Sequence, residues 1–134
     1  MSDVLLRLRT ARALRWELIG DWDSASGDHY EDWRMPDGAP WTFGTDETGA
    51  MDYDSAMPRY GTTWASCEEV DAEIKEREWL AQIDMDGNTT RVFLFTSANG
   101  LIGTRLSTAT APTFPAAFCE AFCLAVEAND VNAQ

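Results

Sequence analysis

The stretch MPRYGTTWASCEEVDAEIKERE, residues 57–78, decides how the chain reads. It opens as a turn, passes through a helix start and becomes a helix, and the strand-like WLAQIDM (79–85) follows at once. Thr62 or Thr63 is the expected N-cap, because a hydroxyl there accepts an orphan backbone N–H. A helix over 62–78 would bury Trp64, Cys67, Val70 and Ile74, which recur at steps of three, three and four. Glu69, Asp71, Glu73, Lys75, Glu76 and Arg77 would cover its outside, with Glu73 and Arg77 placed as an i,i+4 pair.

Downstream the pattern is regular. WLAQIDM (79–85), TTRVFLFTS (89–97) and LIGTRLSTA (101–109) read as three strands. Asp86-Gly87-Asn88 and Ala98-Asn99-Gly100 separate them as hairpin turns. The run Val92, Phe93, Leu94, Phe95 is apolar on both faces, as in a central strand covered on both sides. Gly103 marks a bulge or a close approach. A last helix is expected near 114–128, capped by Thr113, with Pro115 in its first turn and Phe118, Cys119, Phe122, Ala125 and Val126 on its apolar face. Asn129 to Gln134 reads as a frayed tail.

Upstream, residues 3–19 read as a helix capped by Ser2 or Asp3. Its stripe is Val4, Leu5, Leu8, Ala11, Leu14 and Leu18, and Gly20 is its stop. Arg7, Arg9, Arg12 and Arg15 take the other face, solvated or paired with acids that follow in sequence. Residues 21–58 are the least regular part. YEDWRM (30–35) and APWTF (39–43) can form a hairpin about Pro36-Asp37-Gly38, which places Trp33 near Trp41. These tryptophans suit a minor core beneath a loop, or a ligand cage. The expected class is α+β, a mainly antiparallel sheet packed with three helices in the order α-β-β-α-β-β-β-α, sandwich-like and forming a single domain over 1–134.

Composition bounds the function. The chain has 134 residues and a formal charge of −13, from 23 acidic and 10 basic side chains. Such a field repels nucleic-acid backbones and anionic membranes and favours a basic protein surface as partner. An acidic surface can also imitate the phosphate array of nucleic acid. No apolar run reaches the ~18 residues of a membrane span, and four arginines spread through the first 16 residues argue against a signal peptide. Cys67, Cys119 and Cys123 are odd in number and sit among apolar residues, which suits buried free thiols. No GxSxG, HExxH, P-loop or CxxC occurs, and His29 is the only histidine. We therefore expect no enzyme, no cofactor and no metal site. DWDSASGD (21–28) and DETGAMDYD (46–54) lack the ligand spacing of a calcium loop.

Trp33, Pro36, Asp37 and Gly38, then Pro58, Tyr60, Thr62 and Trp64, then Val70, Trp79 and Ala109-Thr110-Ala111-Pro112 make a combination that resembles small phage-encoded proteins with a phage ABA sandwich domain. The likeness runs from about Ala13 to Val126. It departs at YGTT, where Gly61 stands for a serine, and in the long acidic loop 44–57. The resemblance implies an α/β sandwich, a phage or prophage origin and residence in the cytoplasm of an infected or lysogenic bacterial host. It implies no catalytic residue.

Two readings follow. In the first, the chain binds and inhibits a host defence protein through Asp21, Asp23, Asp28, Glu31, Asp32, Asp46, Glu47, Asp52 and Asp54. In the second, it sequesters a nucleotide signal at Arg59, Tyr60, Thr62, Thr63 and Trp64 with Trp33 and Trp41, where helix-start amides, stacking rings and an arginine would meet. An exposed sheet face or edge leaves a homodimer open.

Overall fold

The computed structural model describes residues 3–133, with the backbone alone for 130–133. The fold is α+β. Among the described residues it has three α-helices and two antiparallel sheets of three strands each. The chain divides into two compact units, one of Met1–Leu14 with Arg59–Gln134 and the other of Arg15–Pro58.

The first unit holds α1 (Asp3–Ala13), α2 (Cys67–Glu76), β4 (Trp79–Asp86), β5 (Thr89–Ala98), β6 (Leu101–Ala111) and α3 (Phe114–Ala133). β4, β5 and β6 form a meander with β5 at the centre. Gly87-Asn88 closes the first hairpin with φ 57 at Gly87, and Asn99-Gly100 closes the second with both φ values positive, as a type I′ turn requires. The expected strands therefore stand, each within two residues of its expected end. Gly103 lies beside the register shift between Phe95 and Ser97, and a Cβ there would collide with the Thr96 side chain. Thr104 N–H instead donates to Thr96 Oγ1 at 2.9 Å.

α3 lies over β5 and β6. Thr113 caps it, accepting from Ala116 N–H at 3.3 Å, as expected. Nine of its side chains between Pro115 and Val126 are buried, so the helix is apolar almost all round. Beneath it Val92 and Leu94 are fully buried. The other face of β5 differs from expectation. Arg91 is exposed and Phe93 and Phe95 are half-buried, because the three helices leave that face without a layer of its own.

α1 ends at Ala13, and Arg15 takes a left-handed φ of 78. The helix is thus shorter than expected, and its buried face is Leu6, Thr10 and Ala11, while Val4 and Leu5 are exposed. Arg9 reaches across to α3, donating to Glu120 at 2.9 and 3.1 Å and to Glu127 at 3.0 Å. Ser2, the other expected cap, and Gln134 lie outside the described residues. α3 runs on to Ala133, beyond its expected end at 128.

The second unit holds β1 (Glu17–Asp23), β2 (His29–Arg34), β3 (Pro40–Gly44) and a 3-10 turn at Tyr53–Ser55. β2 and β3 pair with Trp33 opposite Trp41, as expected. β1 pairs antiparallel with β2, and its residues 17–19 are those expected above to end the first helix. The order is therefore α-β-β-β-α-β-β-β-α. The core centres on Phe43, whose ring lies 6.3 Å from Trp16, 6.5 Å from Trp33 and 5.2 Å from Tyr53.

Burial separates two residues on one face of the main sheet. Leu94→Ala should cost about 2–5 kcal/mol in urea unfolding, through lost transfer energy and a cavity under α3. Ile83→Ala, at a site 42% exposed, should cost under about 1 kcal/mol.

Candidate functional site

The nine carboxylates expected to bind a partner all fall in the unit Arg15–Pro58. Seven are exposed, and Glu31 and Asp32 are half-buried. Several already have work inside the unit. Glu31 accepts from Trp33 Nε1 at 2.9 Å and from the Tyr53 hydroxyl at 2.8 Å. Asp32 accepts from Trp22 Nε1 at 3.1 Å and Thr42 Oγ1 at 2.8 Å. Asp52 accepts from Asp54 N–H at the 3-10 turn.

Asp46 organises its own turn. It accepts from Thr48 Oγ1 at 2.6 Å, Thr48 N–H at 2.8 Å and Ala50 N–H at 3.2 Å. These bonds, that to the Thr48 hydroxyl foremost, hold its carboxyl below the usual aspartate value. Asp37, although not among the nine, accepts from Ala39 N–H in the same way. Aspartate suits such turns because its carboxylate replaces a backbone acceptor. In DWDSASGD the residues after Asp23 likewise form a turn, that between β1 and β2. Ser24 N–H donates to Asp28 O, Gly27 has φ 92, and Asp23 Oδ1 lies 2.8 Å from His29 Nδ1. Among the described residues no group of three His, Cys, Asp or Glu side chains is placed to hold a metal ion.

Asp21 and Glu47 make no side-chain hydrogen bond or ion pair among the described residues. Asp21 sits directly opposite Glu31 across the β1–β2 ladder. Exposed Trp22 stacks on Tyr30 at 4.5 Å beside these acids, and Trp41, 40% exposed, lies on β3. Trp33 is 2% exposed and belongs to the core, so it offers no ring to a ligand.

The Arg59–Trp64 turn buries Tyr60 and Gly61 and leaves Arg59, Thr62 and Trp64 exposed. α2 starts at Cys67 and not at Thr62, because the Arg59 carbonyl draws the intervening residues into a separate turn. That carbonyl accepts from Thr62 N–H at 3.1 Å, Thr62 Oγ1 at 3.0 Å and Ser66 Oγ at 3.2 Å. Thr63 Oγ1 accepts from Ser66 N–H at 3.3 Å, so Thr63 serves this turn and does not cap the helix at 62. Tyr60 is fully buried, and its hydroxyl donates to Glu69 at 2.6 Å. Gly61 has φ 89, and a Cβ there would press into Leu6. With these donors engaged, and Glu68 and Glu69 in the first turn of α2, the turn is a poor cradle for an anionic nucleotide.

Two clefts flank the turn, and its residues divide between them. Thr62 borders a cleft of about 610 Å³ with Asp3, Thr110, Thr113 and Glu120, where the charged groups are carboxylates. Trp64, expected in the core, is 64% exposed and borders a groove of about 490 Å³ between α2 and β4. Its ring stacks on Phe114 at 4.6 Å, and Phe114 stacks on Phe118 at 5.0 Å. Sequence periodicity missed this groove, since Trp64 falls on the same helical phase as Cys67 and Val70 although the helix has not yet begun.

All three cysteine thiols are buried and free. The bond to Cys67 and burial push the Cys119 thiol far up, and burial pushes Cys123 up to about 11. Cys119 and Cys123 are thus held as neutral thiols, whereas the bond with Cys119 draws the Cys67 thiol below its usual value. Glu73 and Arg77 form the expected i,i+4 pair at 3.2 Å, and the guanidinium lies 5.0 Å over the Trp79 ring.

Two consequences are measurable. Glu31→Ala removes a charged acceptor from Trp33 and Tyr53 and should cost about 2 kcal/mol in denaturant unfolding followed by tryptophan emission. His29 is raised above 6.5, foremost by its hydrogen bond to Asp23. A raised histidine adds stability that is complete below its unfolded pKa and is lost as pH rises through the folded one. A proton NMR titration should thus place its midpoint above 6.5, and Asp23→Asn should bring that midpoint down.

No protein-family model and no curated protein matches the chain, so the phage ABA sandwich resemblance rests on its motif residues alone.

Proposed function

We propose that the protein is a non-enzymatic accessory protein of phage or prophage origin that binds a basic surface on a host defence protein and inhibits it. The observation that carries this reading is the uneven charge. The unit Arg15–Pro58 has eleven carboxylates against two arginines, which accounts for nine of the thirteen net negative charges. The charge sits on a small all-β unit held rigid by the Phe43 cluster and by aspartate-built turns. Rigid presentation lowers the entropy lost on binding. Exposed Trp22 and Trp41 add the aromatic area in which protein interfaces are enriched.

A field of this kind speeds encounter with a cationic partner and makes capture depend on salt. Carboxylates in place of phosphates would let the unit occupy a nucleic-acid site on the partner, which is inhibition by mimicry. The site of action is the cytoplasm of the bacterial host, in keeping with the motif resemblance. No helix among the described residues is long and apolar enough to cross a membrane.

Immobilised protein should capture a basic protein from bacterial lysate at 50 mM salt and release it at 500 mM. The triple variant Asp21→Asn, Asp23→Asn, Glu47→Gln removes three exposed carboxylates with few internal duties. At ~0.5 kcal/mol for each surface ion pair it should bind the captured protein roughly tenfold more weakly. Capture indifferent to both salt and the triple variant would sink the reading.

A further inference from the structure

The groove between α2 and β4 carries a more specific inference, which rests on the basic-partner reading. β4 is an edge strand. Its residues Ala81, Ile83 and Met85 pair with Leu94, Val92 and Thr90 and share the face on which α3 lies. Leu94 and Val92 are fully covered, yet Ile83 is 42% and Met85 64% exposed. The reason is geometric. Three strands ~4.8 Å apart are wider than one helix ~10 Å across can cover. α3 sits over β5 and β6, and an open groove lies between α2 and Trp79, Ala81 and Ile83 of β4. The helical layer is one helix short above β4.

We infer that this place is filled by a basic amphipathic helix of a partner protein. The α2 wall runs from Cys67 to Lys75, about 12 Å at 1.5 Å per residue. That length matches the i to i+7 span of a helix laid in a groove. The Trp64–Phe114–Phe118 stack and Ile83 also line the groove. The charge on the walls selects a cationic occupant. Lys75 is held by Asp71 at 2.9 Å, whereas the Glu68 carboxylate makes no ion pair among the described residues. A second copy of the chain would bring a charge of −13 against −13 and is opposed by its own field.

The test is a nitrogen-15 NMR titration of the whole protein with an 18-residue Leu/Lys amphipathic helical peptide, with the Leu/Glu peptide of the same pattern as control. The chain has six tryptophans, so the indole signals locate the binding. The indole peaks of Trp64 and Trp79 should shift saturably, and those of Trp22 and Trp41 should not. The Leu/Glu peptide should leave all of them in place. Ile83→Asp should weaken the Leu/Lys peptide at least tenfold without lowering the melting temperature, and Glu68→Lys at least threefold. Saturable shifts confined to Trp22 and Trp41, an Ile83→Asp variant that binds as well as the parent, or no binding at all would overturn the inference. So would a dimer, seen by light scattering, that Ile83→Asp dissolves, since a second copy would then fill the groove. If salt-sensitive capture from lysate survives Ile83→Asp but not the triple carboxylate variant, the groove inference falls and the basic-partner reading stands. If the peptide seats in the groove but no basic protein is captured, the basic-partner reading falls and only the groove's affinity for a cationic helix stands.

Discussion

A helix that is apolar around nearly its whole circumference must be enclosed, and α3 imposes that requirement on everything near it. Pro115, Ala117, Phe118, Cys119, Ala121, Phe122, Cys123, Ala125 and Val126 are all buried. A helix exposed on one side would need only one packed stripe. α3 takes a sheet on one side, through Val92 and Leu94, and helices α1 and α2 on others. Its alanines let those neighbours approach closely. At its rim the Arg9 guanidinium spans Glu120 and Glu127, where a planar fork meets two carboxylates on one helical face, two turns apart. Ser107 Oγ adds a bond to the Ala121 carbonyl at 2.7 Å. The cysteines belong to this requirement too, since they are small apolar side chains where larger ones would not fit.

The unit Arg15–Pro58 solves a different problem, because it has little aliphatic material. Its core is aromatic, with Phe43 touched by Trp16, Trp33 and Tyr53 in tilted and edge-on geometries. Aromatic rings bury large area per residue, so a few of them hold a small sheet. The polar ends of these rings then need acceptors, and Glu31 serves both Trp33 and Tyr53. Part of the acidity of this segment is therefore structural. Asp37, Asp46 and Asp52 each accept a backbone amide two residues on, and so each shapes a turn.

The three strands of the main sheet and α3 were legible in the sequence because each had two agreeing signals. β-branched and aromatic runs met Asp-Gly-Asn and Asn-Gly turns, and a threonine cap preceded an apolar helix. β1 was not legible. ELIGDWD lacks alternation, its register slips between Leu18 and Gly20, and all seven residues are exposed, so no period of two is written into it. Leu14 and Leu18 also continue the helical phase of α1, while the true stop is a left-handed Arg15 that no glycine announces. The late start of α2 was hidden for a similar reason. A hub formed by one backbone carbonyl, that of Arg59, leaves no trace in side-chain pattern. The groove between α2 and β4 was invisible because it arises from a mismatch between helix width and sheet width, which no local window contains.

Acidity beyond the structural share has a cost, and Asp21 shows where it is borne. It faces Glu31 across the β1–β2 ladder, and like charges directly opposite destabilise a sheet by a few tenths of a kcal/mol to about 1. Glu31 cannot be relieved of its charge without weakening the acceptor that Trp33 and Tyr53 use. Asp21 has no such duty, since its carboxylate makes no hydrogen bond among the described residues. Structure alone would be better served by a neutral residue there. A cation brought by a partner reverses the sign of that pair, because it is attracted to both carboxylates at once. The repulsion present in the free protein is then released on binding, and a position unfavourable to the isolated fold becomes favourable in a complex.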